Sequence, residues 1–185
     1  MKEQAREITG KNGQKYTMKS INAANAEQFL DFMYQVSDDT HFMTRYGDEV
    51  GKSENDIKEE GKRLQSLYND SRQTMTSIFE GEKIIGNIAV RCVGKGRKTK
   101  HRCEIGLGVR KEYHGAGLGT HLMKYAIEFA KDAGYTCMEL GVLEDNDKAR
   151  GLYKKMGFVE SGRLPGAFQL DDGTEIGEIS MYKIL

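Results

Sequence analysis

The fold is decided by residues 103–134, CEIGLGVRKEYHGAGLGTHLMKYAIEFAKDAG, where a glycine-rich loop separates a predicted strand from a predicted helix. The strand is predicted over 101–109. The helix is predicted over 117–133, because apolar residues recur there at helical spacing on one face: Leu118, Leu122, Ala126, Phe129 and Ala133. Gly134 is a natural end for such a helix. The segment therefore predicts a strand–loop–helix unit.

The loop itself is HGAGLG, residues 114–119, with glycines at alternate positions. Gly115, Gly117 and Gly119 permit unusual φ angles and the close approach of a ligand, whereas Leu118 is predicted to point back into the core. Free backbone N–H groups at the positive end of a helix favour an anion, typically a phosphate. A plain tight turn explains the loop equally well, so its sequence alone leaves both interpretations open.

Two known phosphate-binding motifs differ from this loop. The third glycine of the dinucleotide fingerprint G-x-G-x-x-G comes one residue later than Gly119, although Glu139 lies at a suitable distance downstream for a ribose contact. The Walker A motif has a lysine after its last glycine, and here Thr120 follows Gly119. The spacing of the glycines therefore argues against a nucleotide-binding domain.

The rest of the chain alternates between segments with helix-like and segments with strand-like spacing of apolar residues. Helices are predicted over 23–36, 53–68 and 146–156, and further strands over 15–21, 73–80, 83–94, 136–143, 157–164 and 177–185. Ser53 is a plausible N-cap, with Asp56 three residues on, and Gly81 is typical of a hairpin turn. These elements predict a mixed α/β sandwich in a single domain spanning 1–185, with the polar residues 1–13 as a loosely held extension.

Composition narrows the class of protein. The 185 residues carry 28 acidic and 28 basic side chains, so net charge gives no reason to expect nucleic acid or a membrane surface as a partner. No apolar run approaches the roughly 20 residues of a membrane span, and the start of the chain does not resemble a secretion signal, so a cytoplasmic protein is expected. Cys92, Cys103 and Cys137 are predicted to be buried reduced thiols, and the scattered histidines predict no metal site.

The run EIGLGVRKEYHGAGLGTHLM, followed by LGVLEDNDKARGLYKKMGF, resembles the GNAT family of acetyl-CoA-dependent N-acetyltransferases. The resemblance covers roughly residues 75–185, and the tail GFVESGRLPGAFQLDDGTEIGEISMYKIL resembles the branches that acetylate ribosomal proteins and polyamines. It implies a central mixed, twisted sheet of six or seven strands flanked by helices. It also implies that acetyl-CoA and an amine acceptor are the binding partners.

The resemblance assigns coenzyme contacts to three parts of the chain. The strand before the loop would contact pantetheine, and the loop would cradle the pyrophosphate, with His114 standing where the family usually has glutamine or arginine. An asparagine and a tyrosine would follow from the next strand–helix unit. The residues so assigned are Leu107, Gly108, Val109, His114, Gly115, Ala116, Gly117, Leu118, Gly119, Thr120, Asn146 and Tyr153.

Direct attack of an amine on acetyl-CoA requires a base and an acid. Glu104, on the strand leading to the loop, is the candidate base; otherwise it is an exposed strand residue paired with a cross-strand cation. Tyr153 is the candidate proton donor to the leaving thiolate; by periodicity alone it is a core residue. Asn146 would serve both as a coenzyme contact and as a helix N-cap. Some relatives carry a glutamate base on the next strand, where this chain has Gly141.

Other interpretations stay open. A catalytically weak acetyl-CoA-binding regulatory module would keep the loop and lose turnover. The basic run 95–102, KGRKTKHR, is either a solvated turn or a contact for an acidic partner. The acceptor is either a small-molecule amine or the amino terminus of a peptide or protein, and a homodimer through the last strands is plausible.

Overall fold

The computed structural model describes residues 5–185. Eight strands form one sheet: β1 (Arg6–Thr9), β2 (Lys15–Ser20), β3 (Thr74–Glu80), β4 (Lys83–Cys92), β5 (Arg102–Val109), β6 (Cys137–Leu143), β7 (Val159–Gln169) and β8 (Glu175–Ile184). Within the same residues, four α-helices accompany the sheet: α1 (Ala26–Asp38), α2 (Glu54–Asn69), α3 (Leu118–Asp132) and α4 (Asp147–Lys155). The predicted mixed α/β architecture is confirmed, with one strand more than expected.

The additional strand is β1. It pairs antiparallel with β2, from Arg6 opposite Met18 to Thr9 opposite Lys15. It lies within the segment predicted to be a loose extension, so that prediction is wrong for residues 6–9; residues 1–4 lie outside the described part of the chain. Only Ile8 of this strand is buried, and so short a polar strand has no readable hydrophobic pattern.

The strand order is β1-β2-β3-β4-β5-β6-β8-β7, and β5 and β6 form the parallel pair. Each of these two strands has seven paired residues with its antiparallel neighbour, β4 for β5 and β8 for β6. Between themselves they pair at only three positions, the last of which joins Glu104 to Glu139. Beyond these residues a cleft separates residues 105–109 of β5 from residues 140–143 of β6.

The two faces of the sheet are covered differently. Under α3, one continuous core takes residues from both sides of the cleft, including Ile105, Leu122, Met138 and Met181. On the opposite face, called here the α1 face, α1 and α2 pack against buried residues of β3 and β4, the last of which is Ala89. The buried residues of this second core include none from β6, β7 or β8 in the described part of the chain. The helices therefore leave the α1 face of these three strands uncovered.

Local signals account for the boundaries of several elements. The Ser53 hydroxyl accepts the N–H of Asp56, and the Asp56 carboxylate accepts the N–H of Ser53, which is the predicted capping box. These hydrogen bonds hold the pKa of Asp56 below its usual range. Gly81 turns the β3–β4 hairpin with φ +59°, and Gly134 follows α3 with φ +77°, as predicted.

The three cysteines, predicted to be buried reduced thiols, differ in their burial. All three thiols are free; Cys103 is buried, which raises its pKa to about 12, whereas Cys92 and Cys137 are only partly buried.

Within residues 5–185, no helix combines the length and apolar character needed to cross a membrane. The outer strand β7 leaves Leu164 60% exposed, and a homodimer through the last strands stays a prediction.

Candidate active site

The glycine loop joins the end of β5 to the start of α3. Gly115 and Gly117 have φ values of +89° and +80°, a region that side chains disfavour, and α3 begins at the next residue. Leu118 is 1% exposed and points into the core, as predicted. Gly119 is needed for a different reason, because a Cβ atom there would lie 3.1 Å from Cδ2 of Leu152 on α4. Two of the glycines therefore shape the loop, and the third lets α4 pack against it.

Backbone N–H groups of this loop point away from the chain's own acceptors. In residues 5–185, no acceptor within hydrogen-bonding distance is found for the N–H groups of Gly115, Gly117, Leu118 or Gly119. The N–H groups of the next two residues turn back to the carbonyl of Gly117. Because the free groups lie at the N-terminus of a helix of 15 residues, they form a site of positive potential that can bind an anion.

His114 and the first hairpin support the loop from outside. The His114 Nε2 atom lies 2.9 Å from the carbonyl oxygen of Val109, so the ring turns back onto the end of its own strand. The N–H of Lys11 donates to the carbonyl of Ala116 at 2.9 Å. A depression of about 450 Å³ lies between Lys11, Asn12, Gln14 and Tyr16 of the hairpin and residues 112–116. This depression adjoins the outer side of the loop and is separate from the cleft.

The β5 side of the cleft presents backbone rather than large side chains. Residues 105–109 are paired with β4 on one edge, and no β6 residue pairs with their other edge. A Cβ atom at Gly108 would lie 3.3 Å from Cζ of Phe32, so α1 packs close to this strand. Because alternate residues of an antiparallel strand turn their backbone groups to opposite edges, Leu107 and Val109 present backbone groups to the cleft, in the position predicted for pantetheine contacts, whereas Gly108 faces β4. The Val109 carbonyl already lies near His114 Nε2.

Glu104 lies where the parallel pairing of β5 and β6 ends. Its side chain is about half exposed, and its Oε1 atom lies 3.0 Å from Nε of Arg91, the residue opposite on β4. The cross-strand cation considered as the alternative to a catalytic role is therefore present. The role of Glu104 as a base stays a prediction.

Asn146 and Tyr153 are both on the strand–helix unit that follows the cleft. The Asn146 side chain accepts the N–H of Ala149 at 3.1 Å, which confirms its predicted role as the N-cap of α4. Tyr153 is buried against Phe158, and burial raises its pKa to about 12. Its hydroxyl makes no hydrogen bond within the described residues. The preceding residue, Leu152, contacts Gly119, so α4 packs against the glycine loop.

Arg110, which the sequence analysis did not identify, organises the end of β5. Its side chain is 4% exposed; Nε donates to the carbonyl of Ile84 at 2.8 Å and Nη2 to Asp31 of α1 at 2.7 Å. The guanidinium group also lies 6.0 Å from the ring centre of Phe32. Arg110 therefore fixes α1 to the strands beside the cleft, and nothing in the polar run VRKEYH distinguishes it in advance.

Replacing Arg110 by methionine is expected to lower the free energy of unfolding by about 3 kcal/mol, because the Ile84 carbonyl loses its buried donor. Urea denaturation would measure the change. Arg6→Met is the control, since this arginine is 40% exposed in its ion pair with Glu128 and should change stability much less. Equal losses in the two variants would contradict the structural role assigned to Arg110.

Glu178 of β8 is one of several acidic residues in the sequence that could attract a cationic amine, and the structure places it against Gly141. A Cβ atom added to Gly141 of β6 would lie 2.1 Å from Oε1 of Glu178 and 2.7 Å from its Cδ. The Glu178 carboxylate therefore occupies the space that a side chain at position 141 would fill. No signal in the sequence connects these residues, because their proximity depends on β8 pairing with β6.

Residues 39–53, which connect α1 and α2, reach the uncovered half of the α1 face. His41 Nε2 lies 2.6 Å from Oδ2 of Asp145, which follows β6, and the Tyr46 hydroxyl accepts the N–H of Asp171 in the β7–β8 turn at 2.9 Å. These two contacts fasten the segment beside the ends of β6, β7 and β8. It forms one wall of the space in front of the cleft.

Comparison with known proteins points to one family. Residues 30–158 match the model of the acetyltransferase (GNAT) family. Human N-acetyltransferase 8B is 29% identical over 83 residues, which are 44% of this chain and 37% of that protein. The matched stretch covers less than half the length of each of the curated relatives.

Solved structures agree in fold. The structure of a GNAT-family acetyltransferase from Streptococcus pneumoniae is 24% identical, with a TM-score of 0.84 over 92% of this chain and 99% of that one. A Salmonella typhimurium structure, described with its cofactor acetyl-CoA, is 17% identical with a TM-score of 0.76, over 92% of this chain and 94% of that one. At these identities the structural matches support the fold.

Proposed function

The chain belongs to the acetyltransferase (GNAT) family, and we propose that it transfers an acetyl group from acetyl-CoA to a primary amine by direct attack, in the cytoplasm. The observation that carries this proposal is the cleft between β5 and β6, which opens beyond Glu104 and leads to the glycine loop with its unpaired N–H groups. A thioester on a long arm with a pyrophosphate at one end fits such a cleft.

The coenzyme is proposed to lie along β5. The cleft edge of β5 at Leu107 and Val109 would hydrogen-bond to the pantetheine amides as an added strand would. The free N–H groups of Gly115, Gly117, Leu118 and Gly119 would hold the pyrophosphate, helped by the positive end of α3. The description of acetyl-CoA in the Salmonella typhimurium neighbour supports this assignment. Asn146 and Tyr153 would approach the coenzyme from α4.

The acceptor amine has to lose a proton before it can attack. A primary alkyl amine with a pKa of about 10.4 is mostly ammonium at neutral pH, and freeing its lone pair costs about 4–5 kcal/mol. Glu104, at the start of the cleft, is proposed to contribute to this step directly or through water. Its carboxylate also pairs with Arg91 on β4, which competes with the acceptor for it.

Collapse of the tetrahedral intermediate needs two donors. A backbone N–H near Leu107–Val109 would stabilise the oxyanion. Tyr153 would give its proton to the leaving thiolate, whose conjugate thiol has a pKa of about 8.5. Burial raises the pKa of Tyr153 to about 12, so its hydroxyl carries its proton at neutral pH. Donation from it has to coincide with departure of the thiolate.

Two measurements test the proposed function. Calorimetry would measure acetyl-CoA binding, and a thiol assay would measure coenzyme release with pooled alkyl amines and with pooled peptides that have free amino termini. Binding with release on one pool is expected, and it would identify the acceptor class. Binding without release on either pool would instead support a regulatory module, and the absence of binding would contradict the assignment of the glycine loop.

A further inference from the structure

We propose that Glu178 is the carboxylate that receives the ammonium group of the acceptor and removes its proton. The proposal rests on the function proposed above and assigns the acceptor side of the same site. The main base is then a residue of β8, outside the strand–loop–helix unit of residues 103–134.

The register of the sheet places Glu178 at the cleft. Gly141 is two residues beyond Glu139, the last β6 residue paired with β5, which is about 7 Å further along the strand. Alternation along β6 puts Gly141 on the same face as Glu139, whose carboxylate meets Arg102 of β5. The Glu178 carboxylate lies directly over Gly141, and it therefore borders the open part of the cleft.

This position is open to an acceptor. Glu178 and Gly141 lie on the α1 face, in the half of the sheet that α1 and α2 do not cover. Gly141 is exposed and Glu178 is only partly buried. The segment held by the His41–Asp145 contact forms the adjacent wall. An amine entering between this wall and the strands reaches the Glu178 carboxylate and the cleft together.

The charge environment separates Glu178 from the neighbouring carboxylates. Glu104 pairs with Arg91, Glu139 makes a bidentate ion pair with Arg102, and Glu144 pairs with Arg163. For Glu178, no hydrogen bond or ion pair is found to the side chains of residues 5–185. A carboxylate without a paired cation is free to pair with the ammonium group of an acceptor, whereas the other three are already paired with arginine.

The step is a simple proton transfer followed by acyl transfer. The ammonium N–H proton moves to a Glu178 carboxylate oxygen, and the freed nitrogen lone pair attacks the thioester carbonyl carbon. The C–N bond forms to give a tetrahedral intermediate, whose nitrogen loses a second proton to solvent. The carbonyl then re-forms, the C–S bond breaks, and the thiolate takes its proton from Tyr153. Glu178 then returns its proton to solvent, and Tyr153 regains one from solvent.

The test compares four variants on the acceptor pool that the wild type acetylates. Glu178→Gln keeps the shape of the side chain and is expected to lower kcat/KM by about 100-fold with a primary alkyl amine. Gly141→Ala should lower it similarly, because the new methyl group has to displace the flexible end of Glu178. Glu104→Gln is expected to cost less than Glu178→Gln. Glu175→Gln, on the same strand and exposed, is the matched control and should leave kcat/KM unchanged.

A second acceptor distinguishes a base from a structural contact. A peptide α-amino group, with a pKa of about 7.7–8.0, is far more often neutral at pH 7.5 than an alkyl amine with a pKa of about 10.4. If both acceptors are turned over, the loss caused by Glu178→Gln should be smaller for the α-amino group. The same loss with both acceptors would overturn the assignment.

Acetyl-CoA binding separates this proposal from the proposed function. Calorimetry should give the same Kd for wild type and Glu178→Gln, since the carboxylate acts on the acceptor. If wild type turns over and Glu178→Gln stays within threefold of it, the role of Glu178 is overturned while the proposed function stands. If wild type neither binds acetyl-CoA nor releases the thiol, both proposals fall.

Discussion

Replacing Gly117 by valine is expected to weaken acetyl-CoA binding by at least 100-fold. Gly117 has φ +80° at the start of α3, and a β-branched residue in that conformation costs about 1–3 kcal/mol. To relieve this strain the loop has to rotate its peptides, and the free N–H groups then cease to converge on one anion. Losing two charged hydrogen bonds at about 1.5–3 kcal/mol each gives the expected factor, which calorimetry would measure.

Gly134→Val is the matched control for this variant. Gly134 lies beyond the other end of α3 with φ +77°, and an added Cβ atom would have no heavy atom within 4 Å. Valine there should lower the free energy of unfolding by a similar amount and leave the Kd for acetyl-CoA unchanged. If both variants weakened binding equally, the effect would be one of stability, and the phosphate-binding role of the loop would be contradicted.

Replacing Tyr153 by phenylalanine is expected to lower the rate of thiol release by about 100-fold, with little change in acetyl-CoA affinity. The thiolate would then leave without a proton donor. Phenylalanine keeps the ring packed against Phe158, so the free energy of unfolding should change little. Steady-state kinetics with the acceptor identified for wild type would measure the effect.

Tyr135→Phe is the control for removing a buried hydroxyl. Tyr135 is 3% exposed and its hydroxyl donates to the carbonyl of Arg72 at 2.8 Å. This variant should destabilise the protein by about 1–2 kcal/mol without slowing thiol release. Full turnover by Tyr153→Phe would mean that its hydroxyl is not the proton donor.

Local features of the fold were predictable because their causes are local. The apolar spacing predicted α3 over 117–133, and the helix runs over Leu118–Asp132. The Ser53 cap and the Gly81 turn depend on residues three or fewer positions apart, and both are present. The burial of Leu118, directly after the positive-φ glycines Gly115 and Gly117, also follows from the sequence of the loop.

The acceptor side could not be predicted in the same way, because its geometry depends on strand order. Glu178 and Gly141 are 37 positions apart, and they meet because β8 lies between β6 and β7 in the sheet. The contact of Arg110 with Asp31 joins a strand end to a helix almost 80 residues earlier. Patterns within one segment carry no information about such pairs.

The short pairing between β5 and β6 has a consequence for the response of the molecule to its ligand. With three pairs at 102–104 and 137–139, the sheet is in effect a five-stranded and a three-stranded sheet that share a narrow seam. Amide protons on the cleft edge of residues 105–109 have no strand partner to protect them from exchange with solvent. A molecule bound between the two parts would supply these partners, so hydrogen exchange along one edge of a single strand would report occupancy of the cleft.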